Sequence, residues 1–232
     1  MRIAALYDVH GNLPALEAVL ADVERESVDE IVFGGDLTWG PLPRETLELV
    51  RSVDRASFVR GNTDREPDDW ERSRLSEEEV AFLQAQPPTI ERDGVLYCHA
   101  TPRSDDEVVT PATPDGRLRE ILAGLEQRVV VAGHTHMQQD RLIDGTRFVN
   151  AGSVGLPYEG ELGAFWALLV DGVPELRNTE LEHEGVVEAF RQSRWPRAAE
   201  ILGERVLRTV TREEATRVLE GRASAIFVTP SD

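Results

Sequence analysis

Lysine is missing from this sequence altogether: all 25 basic residues are arginine, set against 43 acidic residues, for a formal net charge of −18 over 232 residues. The absence of lysine fits GC-rich codon usage and the acidic excess fits a saline cytoplasm; neither identifies a function. The acidic excess does argue against stable binding to nucleic acid or to an anionic membrane surface, which relies on basic patches. The single cysteine, Cys98, excludes an intrachain disulfide framework and fits a reducing compartment. Long apolar runs are missing too, the longest being residues 164–170, against the ~20 residues that cross a bilayer. Near the start, Asp8 and His10 interrupt the apolar segment before a secretory core is complete, so a cytoplasmic protein is expected. With 41% hydrophobic residues the chain can bury a sizeable core.

What is present is a repeated pattern, in which a short apolar strand ends in a small turn that carries ligand-capable side chains. Residues 3–6 read as a buried strand followed by Asp8 and His10, which in extended backbone would project to one side. Gly11 allows a turn, and Leu13, Leu16, Val19, Leu20 and Val23 repeat at helical spacing, predicting a helix over 13–25 with Pro14 in its first turn. A strand at 30–33 leads to Gly34-Gly35-Asp36 and on to Trp39, a packing residue or a stacking surface. After a helix over 44–53, a strand at 57–60 ends in Gly61-Asn62-Thr63-Asp64, where Asn62 is a ligand candidate or a plain turn residue.

Residues 65–75 read as a charged surface loop. Ser76 with Glu79 forms a capping box for a short helix that Pro87-Pro88 ends. Strands at 89–92 and 95–98 flank the hairpin signal Asp93-Gly94, and the second ends at His99. A polar insertion at 103–114 has the composition of a loop that lines a site, and Thr113-Pro114 opens a helix to about residue 125. A valine-rich strand at 128–132 runs into Gly133-His134-Thr135-His136, with two imidazoles spaced to face one side. The strand at 146–149 precedes Asn150-Ala151-Gly152-Ser153, where Ser153 lacks the flanks of a nucleophile elbow and backbone packing explains the glycines better. Strands at 164–170 and 174–181 pair through Asp171-Gly172. From Glu182 the pattern turns helical, with Thr211 and Glu214 as a capping box and Gly221 as a stop.

Four of the five histidines (His10, His99, His134, His136) thus stand at strand ends, with Asp8, Asp36 and Asn62. This oxygen and nitrogen set without thiolate suits Mn, Fe, Ni or Zn rather than a structural zinc knot. Seven ligands are too many for one ion and about right for two that share a carboxylate.

The succession Asp8-x-His10-Gly11-Asn12, Gly35-Asp36-x-x-x-Gly40-Pro41, Gly61-Asn62-x-Asp64, His99, Gly133-His134-x-His136 and Asn150-x-Gly152-Ser153 resembles the calcineurin-like metallophosphoesterases, and more narrowly their small bacterial and archaeal phosphodiesterase branch. The resemblance implies an α/β fold, a four-layer αββα sandwich of two mixed sheets flanked by helices. Residues 1–181 would form the metallophosphoesterase domain and 182–232 a helical C-terminal extension. It implies two divalent transition metals, Mn first and Fe, Ni or Zn as alternatives. Asp8, His10, Asp36 and His136 would hold one; Asp36, Asn62, His99 and His134 the other, Asp36 bridging.

A hydroxide between the ions, positioned through Asp36, Asn62 and His99, would attack phosphorus in line with no protein nucleophile. Asn12 and Thr63 would face the substrate. Thr63 stands where many superfamily members carry a histidine that protonates the leaving group, so dependence on leaving-group acidity is expected unless His183 or an insertion residue substitutes. The implied function is a two-metal phosphodiesterase acting on a small phosphate ester or nucleotide. A phosphomonoesterase or protein phosphatase, a dinucleoside polyphosphate hydrolase and a non-catalytic scaffold of the same fold are the alternatives. The C-terminal helices offer a homo-oligomer contact.

Overall fold

Strand β1 (Arg2–Leu6) is the middle strand of one five-stranded sheet in the computed structural model, which describes residues 1–226. On one side lie the parallel strands β2 (Glu30–Phe33) and β3 (Ala56–Phe58). On the other lies β9 (Ala164–Val170), antiparallel to β1, and then β10 (Val173–Thr179), antiparallel to β9. The second sheet runs in the order β4 (Thr89–Arg92), β5 (Val95–Cys98), β6 (Val129–Ala132), β8 (Thr146–Asn150), β7 (Gln139–Ile143). Its inner strands β5, β6 and β8 are parallel and both edges antiparallel.

Strand alternation sorts the apolar residues into layers. Ile3 and Ala5, with Tyr7 just beyond the strand, face a core shared between the sheets with Val32, Tyr97, Val131 and Leu169. Ala4 and Leu6 face the other way, against α1 (Leu13–Arg25) and α2 (Pro43–Ser52) through Leu16, Val19, Leu47 and Val50. On the outer face of the second sheet, Val130, Ala132 and Phe148 pack on Leu118, Ile121 and Leu122 of α6 (Asp115–Leu122). The result is the expected four-layer αββα sandwich of two mixed sheets. The carboxyl ends of two parallel trios, β1–β2–β3 and β5–β6–β8, supply the loops that carry the ligand candidates, as at the carboxyl edge of other α/β sheets.

The C-terminal stretch folds as α7 (His183–Gln192), α8 (Ala198–Ile201) continuing as a π-helical segment (Leu202–Leu207), and α9 (Arg212–Ile226). Val186, Phe190, Trp195, Ile201 and Val206 make a fourth core with Leu156 and, at its edge, Trp39. Residues 227–232 of the expected extension lie outside the described residues. Among the described residues no helix is long and apolar enough to cross a membrane.

Several expectations are corrected. Residues 65–75 are not a loop: Asn62–Arg65 form α3 and Asp69–Arg74 form α4, the latter closed by a reciprocal capping box between Asp68 and Glu71. After α5 (Glu77–Gln84) comes the expected hairpin, but β7, which pairs with β8 across Asp144-Gly145, had not been anticipated. Helix α6 ends at Leu122, and α9 continues through Gly221 because that glycine lacks the left-handed φ of a helix stop.

Candidate metal centre

Asp8 and His10 do not converge through an extended strand. β1 ends at Leu6, and both residues adopt left-handed backbone, φ 53° and 51°. Asp36 (55°), His134 (68°) and His136 (57°) do the same, a conformation uncommon for residues with a side chain. The loops are braced against one another: Asp8 N–H donates to Gly35 O (3.1 Å) and His10 N–H to Asp36 O (2.9 Å). Close approach explains two of the glycines. A Cβ at Gly61 would stand 2.2 Å from Asp36 Oδ1, and one at Gly133 would stand 2.5 Å from Asp8 Oδ2.

The side chains meet in a buried cluster. His10 Nε2 lies 3.0 Å from His136 Nε2, and Asp8 Oδ1 lies 3.8 Å and 3.4 Å from these two nitrogens. His99 Nε2 lies 3.1 Å from Asn62 Oδ1, 3.5 Å from Asp36 Oδ1 and 3.9 Å from Asp8 Oδ1. Asp36 Oδ2 is 3.9 Å from His10 Nε2, so the Asp36 carboxylate spans the space between His10 and His99, and Asp8 faces both as well. His134 stands at the edge: its ring is T-shaped to His99 with centroids 5.2 Å apart, and its Nε2 is 3.8 Å from Asp106 Oδ1 in the polar insertion.

The proton positions follow from the partners. His10, His99 and His136 each present Nδ1 to a backbone carbonyl, of Trp39 (3.2 Å), Gly34 (2.8 Å) and Leu156 (2.6 Å). A carbonyl only accepts, so Nδ1 carries the hydrogen and Nε2 of the neutral ring turns a lone pair inward. Burial and the neighbouring imidazoles hold His10 well below its usual pKa, and burial with His99 pushes His134 down to about 3, so both rings are neutral at neutral pH. Burial also lowers His99, but the carboxylates of Asp36 and Asp8 outweigh it and raise the ring overall. Asp8 shows the reverse balance: burial pushes it up, and the imidazoles led by His136 bring it below its usual range. Asp36 is raised, chiefly by burial.

Asp8 Oδ1 is fully buried with no hydrogen-bond partner. An orphaned carboxylate oxygen beside inward lone pairs is repulsive in isolation and is relieved by a cation. The donor set therefore fits divalent metal.

Asn12 is buried, with its amide nitrogen donating to Gly155 O (2.8 Å) and its oxygen accepting the Ala15 N–H (3.4 Å) as the cap of α1. Thr63 N–H donates to Asp36 Oδ1 (2.9 Å). His183 is exposed at the start of α7, which packs on α1. Ser153 is fully buried, its hydroxyl donating to Asp8 O (2.8 Å).

Sequence reasoning missed Glu71 and Tyr158, and placed Asp64 in its motif without a role. Asp64 accepts the N–H groups of Asp36 (2.8 Å), Leu37 (3.0 Å) and Gly61 (2.9 Å). Burial and the Asp36 carboxylate push it up to about 6. Its place three residues after Gly61 was the available signal. Buried Glu71 accepts from the Thr38 hydroxyl (2.7 Å) and is pushed up to about 8 by burial. Its signal was the Asp68-x-x-Glu71 capping box. Tyr158 stacks on the His136 ring (4.8 Å, 25°) and had no local signal.

The sequence model for the calcineurin-like phosphoesterase superfamily domain matches residues 1–171. The uncharacterised protein MJ0912 of Methanocaldococcus jannaschii is 26% identical over 242 residues, covering 88% of this chain and 96% of that protein. The crystal structure of a metallophosphoesterase from Sphaerobacter thermophilus matches with TM-score 0.73 and 25% identity, over 90% of this chain and 100% of that one. The hypothetical protein PH1004 of Pyrococcus horikoshii matches with TM-score 0.73 and 19% identity, over 87% and 97%, a likeness of fold.

Proposed function

The chain belongs to the calcineurin-like phosphoesterase superfamily and is a metal-dependent phosphoester hydrolase, and from that premise we propose that it is a two-metal phosphodiesterase. In this reading Asp8, His10, Asp36 and His136 hold one divalent ion and Asp36, Asn62, His99 and His134 the other, with Mn the first candidate. Bound there, the ions supply Lewis acidity, which activates water for in-line attack on phosphorus and neutralises charge on the phosphoryl oxygens. The protein's own part is positional. Backbone carbonyls of Trp39, Gly34 and Leu156 fix three ring orientations, Asp64 fixes the Asp36 loop, and Thr63 N–H steadies the Asp36 carboxylate. Residues 1–181 would be the hydrolase unit, 182–232 its extension and the cytoplasm its compartment. A homo-oligomer through the C-terminal helices belongs to the same proposal.

The observation that supports this reading best is the convergence of inward Nε2 lone pairs on the unpartnered Asp8 Oδ1. The test uses metal-stripped protein with and without Mn²⁺ on bis(p-nitrophenyl) phosphate and p-nitrophenyl phosphate, beside Asp36→Ala. We expect Mn²⁺-dependent turnover with the diester preferred, and a loss on the order of 10³-fold in the variant, as for removal of a charge-stabilising group. A preference for the monoester would make it a phosphatase. Folded protein inert with every divalent metal would favour a scaffold.

A further inference from the structure

Outside the metal cluster, the C-terminal extension sets two arginines on the rim of the site. The ring of Trp39 meets His10 edge-on (5.4 Å), and Arg197 lies over the Trp39 ring (5.0 Å). Arg197 is committed to Glu200 by two hydrogen bonds of 3.2 and 2.7 Å. Arg205 differs. It sits on the π-helical segment, a form frequent at functional sites, and donates to the Tyr158 hydroxyl (2.6 Å) with its guanidinium 5.7 Å from the ring centre. One face of Tyr158 stacks on His136, so a single aromatic ring separates Arg205 from a ligand candidate. Among the described residues no carboxylate stands within 4 Å of Arg205, in a chain of net charge −18 where most arginines are paired.

Arg205 and Tyr158 also line a cavity of about 330 Å³. Its wall also carries Arg217, Glu204 and the Arg208–Glu214 ion pair (2.5 Å), which among the described residues leaves Arg205 and Arg217 as the cations without a paired carboxylate there, and Val218 and Leu219 add apolar surface. A volume of this order accepts a small organic group, and guanidinium forks suit phosphate.

We propose that Arg205, held by Tyr158, forms a distal anion subsite for the substrate, which is therefore a nucleotide-type ester: one phosphoryl group at the metal centre, a second anionic group on Arg205, and a flat apolar moiety against Val218 and Leu219. This rests on the metal-centre reading and assigns the C-terminal extension the choice of substrate. Bis(p-nitrophenyl) phosphate carries no second anion and does not engage the subsite.

The test is calorimetric titration of the protein, metal-free and Mn²⁺-loaded, with adenosine 3′,5′-bisphosphate and with adenosine 5′-monophosphate, for wild type, Arg205→Gln, Arg205→Lys and Tyr158→Phe. We expect wild type to prefer the bisphosphate at least ~10-fold, the scale of one charge-assisted hydrogen-bonded contact, Arg205→Gln to erase the preference and Arg205→Lys to restore part of it. Tyr158→Phe, which keeps the ring but frees the guanidinium, should give an intermediate value. Any loss of kcat/KM for bis(p-nitrophenyl) phosphate in Arg205→Gln should be smaller than the loss of bisphosphate affinity, since that substrate carries no second anion. Equal affinity of wild type for the two probes, persistence of the preference in Arg205→Gln, or an equal loss on the simple diester would overturn the proposal. Bisphosphate preference without metal-dependent turnover would leave the subsite standing and sink the hydrolase reading instead.

Discussion

At the scale of single residues, Asp64 governs the site without reaching the candidate ion positions. Its two oxygens take three backbone N–H groups, from Asp36, Leu37 and Gly61, all in the interior. Removing the carboxylate leaves three donors unsatisfied, at ~1–3 kcal/mol each, so Asp64→Ala should lose about 3–9 kcal/mol in urea unfolding. Because Asp36 rides on the same bonds, the affinity for Mn²⁺ by calorimetry should also fall, by roughly 10–100-fold as for other groups that orient metal ligands. A variant that is destabilised but binds metal like wild type would show that Asp64 serves the fold alone. The motif Gly61-Asn62-x-Asp64 marks this residue in the sequence, yet its partners at Asp36 and Leu37 are supplied by a different strand end, which local reading does not reveal.

At the scale of elements, α4 makes the same point with a pH signature. Its capping box is legible as Asp68-x-x-Glu71, but its high charge disguised it as a loop. Glu71 is fully buried, takes hydrogen bonds from Thr38 and from Asp68 N–H, and is raised from the usual glutamate value to about 8, burial outweighing those bonds. A carboxyl raised on folding binds its proton more tightly in the folded state. Its contribution is therefore complete below the unfolded value of ~4.5 and is lost as pH climbs toward 8, at no more than ~1.4 kcal/mol per pH unit. Glu71→Gln cannot titrate but loses one capping acceptor, worth ~1 kcal/mol. Thermal melts from pH 5 to pH 9 should show wild type the more stable at the acid end and the gap narrowing with rising pH. A constant gap would mean that Glu71 does not change protonation between folded and unfolded states over this range.

At the scale of the molecule, charge dominates. The ion pairs lie mostly at the surface, where each is worth ~0–1 kcal/mol, while 43 acidic residues against 25 basic leave a long-range repulsion that no local pair cancels. Screening should relieve more repulsion than attraction, so the Tm should rise by a few degrees between low salt and ~0.5 M KCl, where the Debye length falls below ~10 Å. A falling Tm would mean that the surface pairs outweigh the net charge.

The layered sandwich followed from the family resemblance, but the sequence by itself determined most of the elements and the roster of candidate ligands, because apolar periodicity of two and of 3.6 and glycine-flanked polar turns are local properties. Strands β1, β2, β4 and β5 and helix α1 follow directly from them, as does the placing of Asp8, His10, Asp36, Asn62, His99, His134 and His136 at strand ends. Only the tertiary structure decided how those ends meet. The left-handed turns at Asp8, His10, Asp36, His134 and His136 are held by loops from other strands, and His134 stands at the rim rather than inside the cluster. Asp64 finds Asp36 across 28 residues and Arg205 finds Tyr158 across 47. Contacts of that separation depend on how two sheets and a helical extension pack together, and no window of neighbouring residues encodes them.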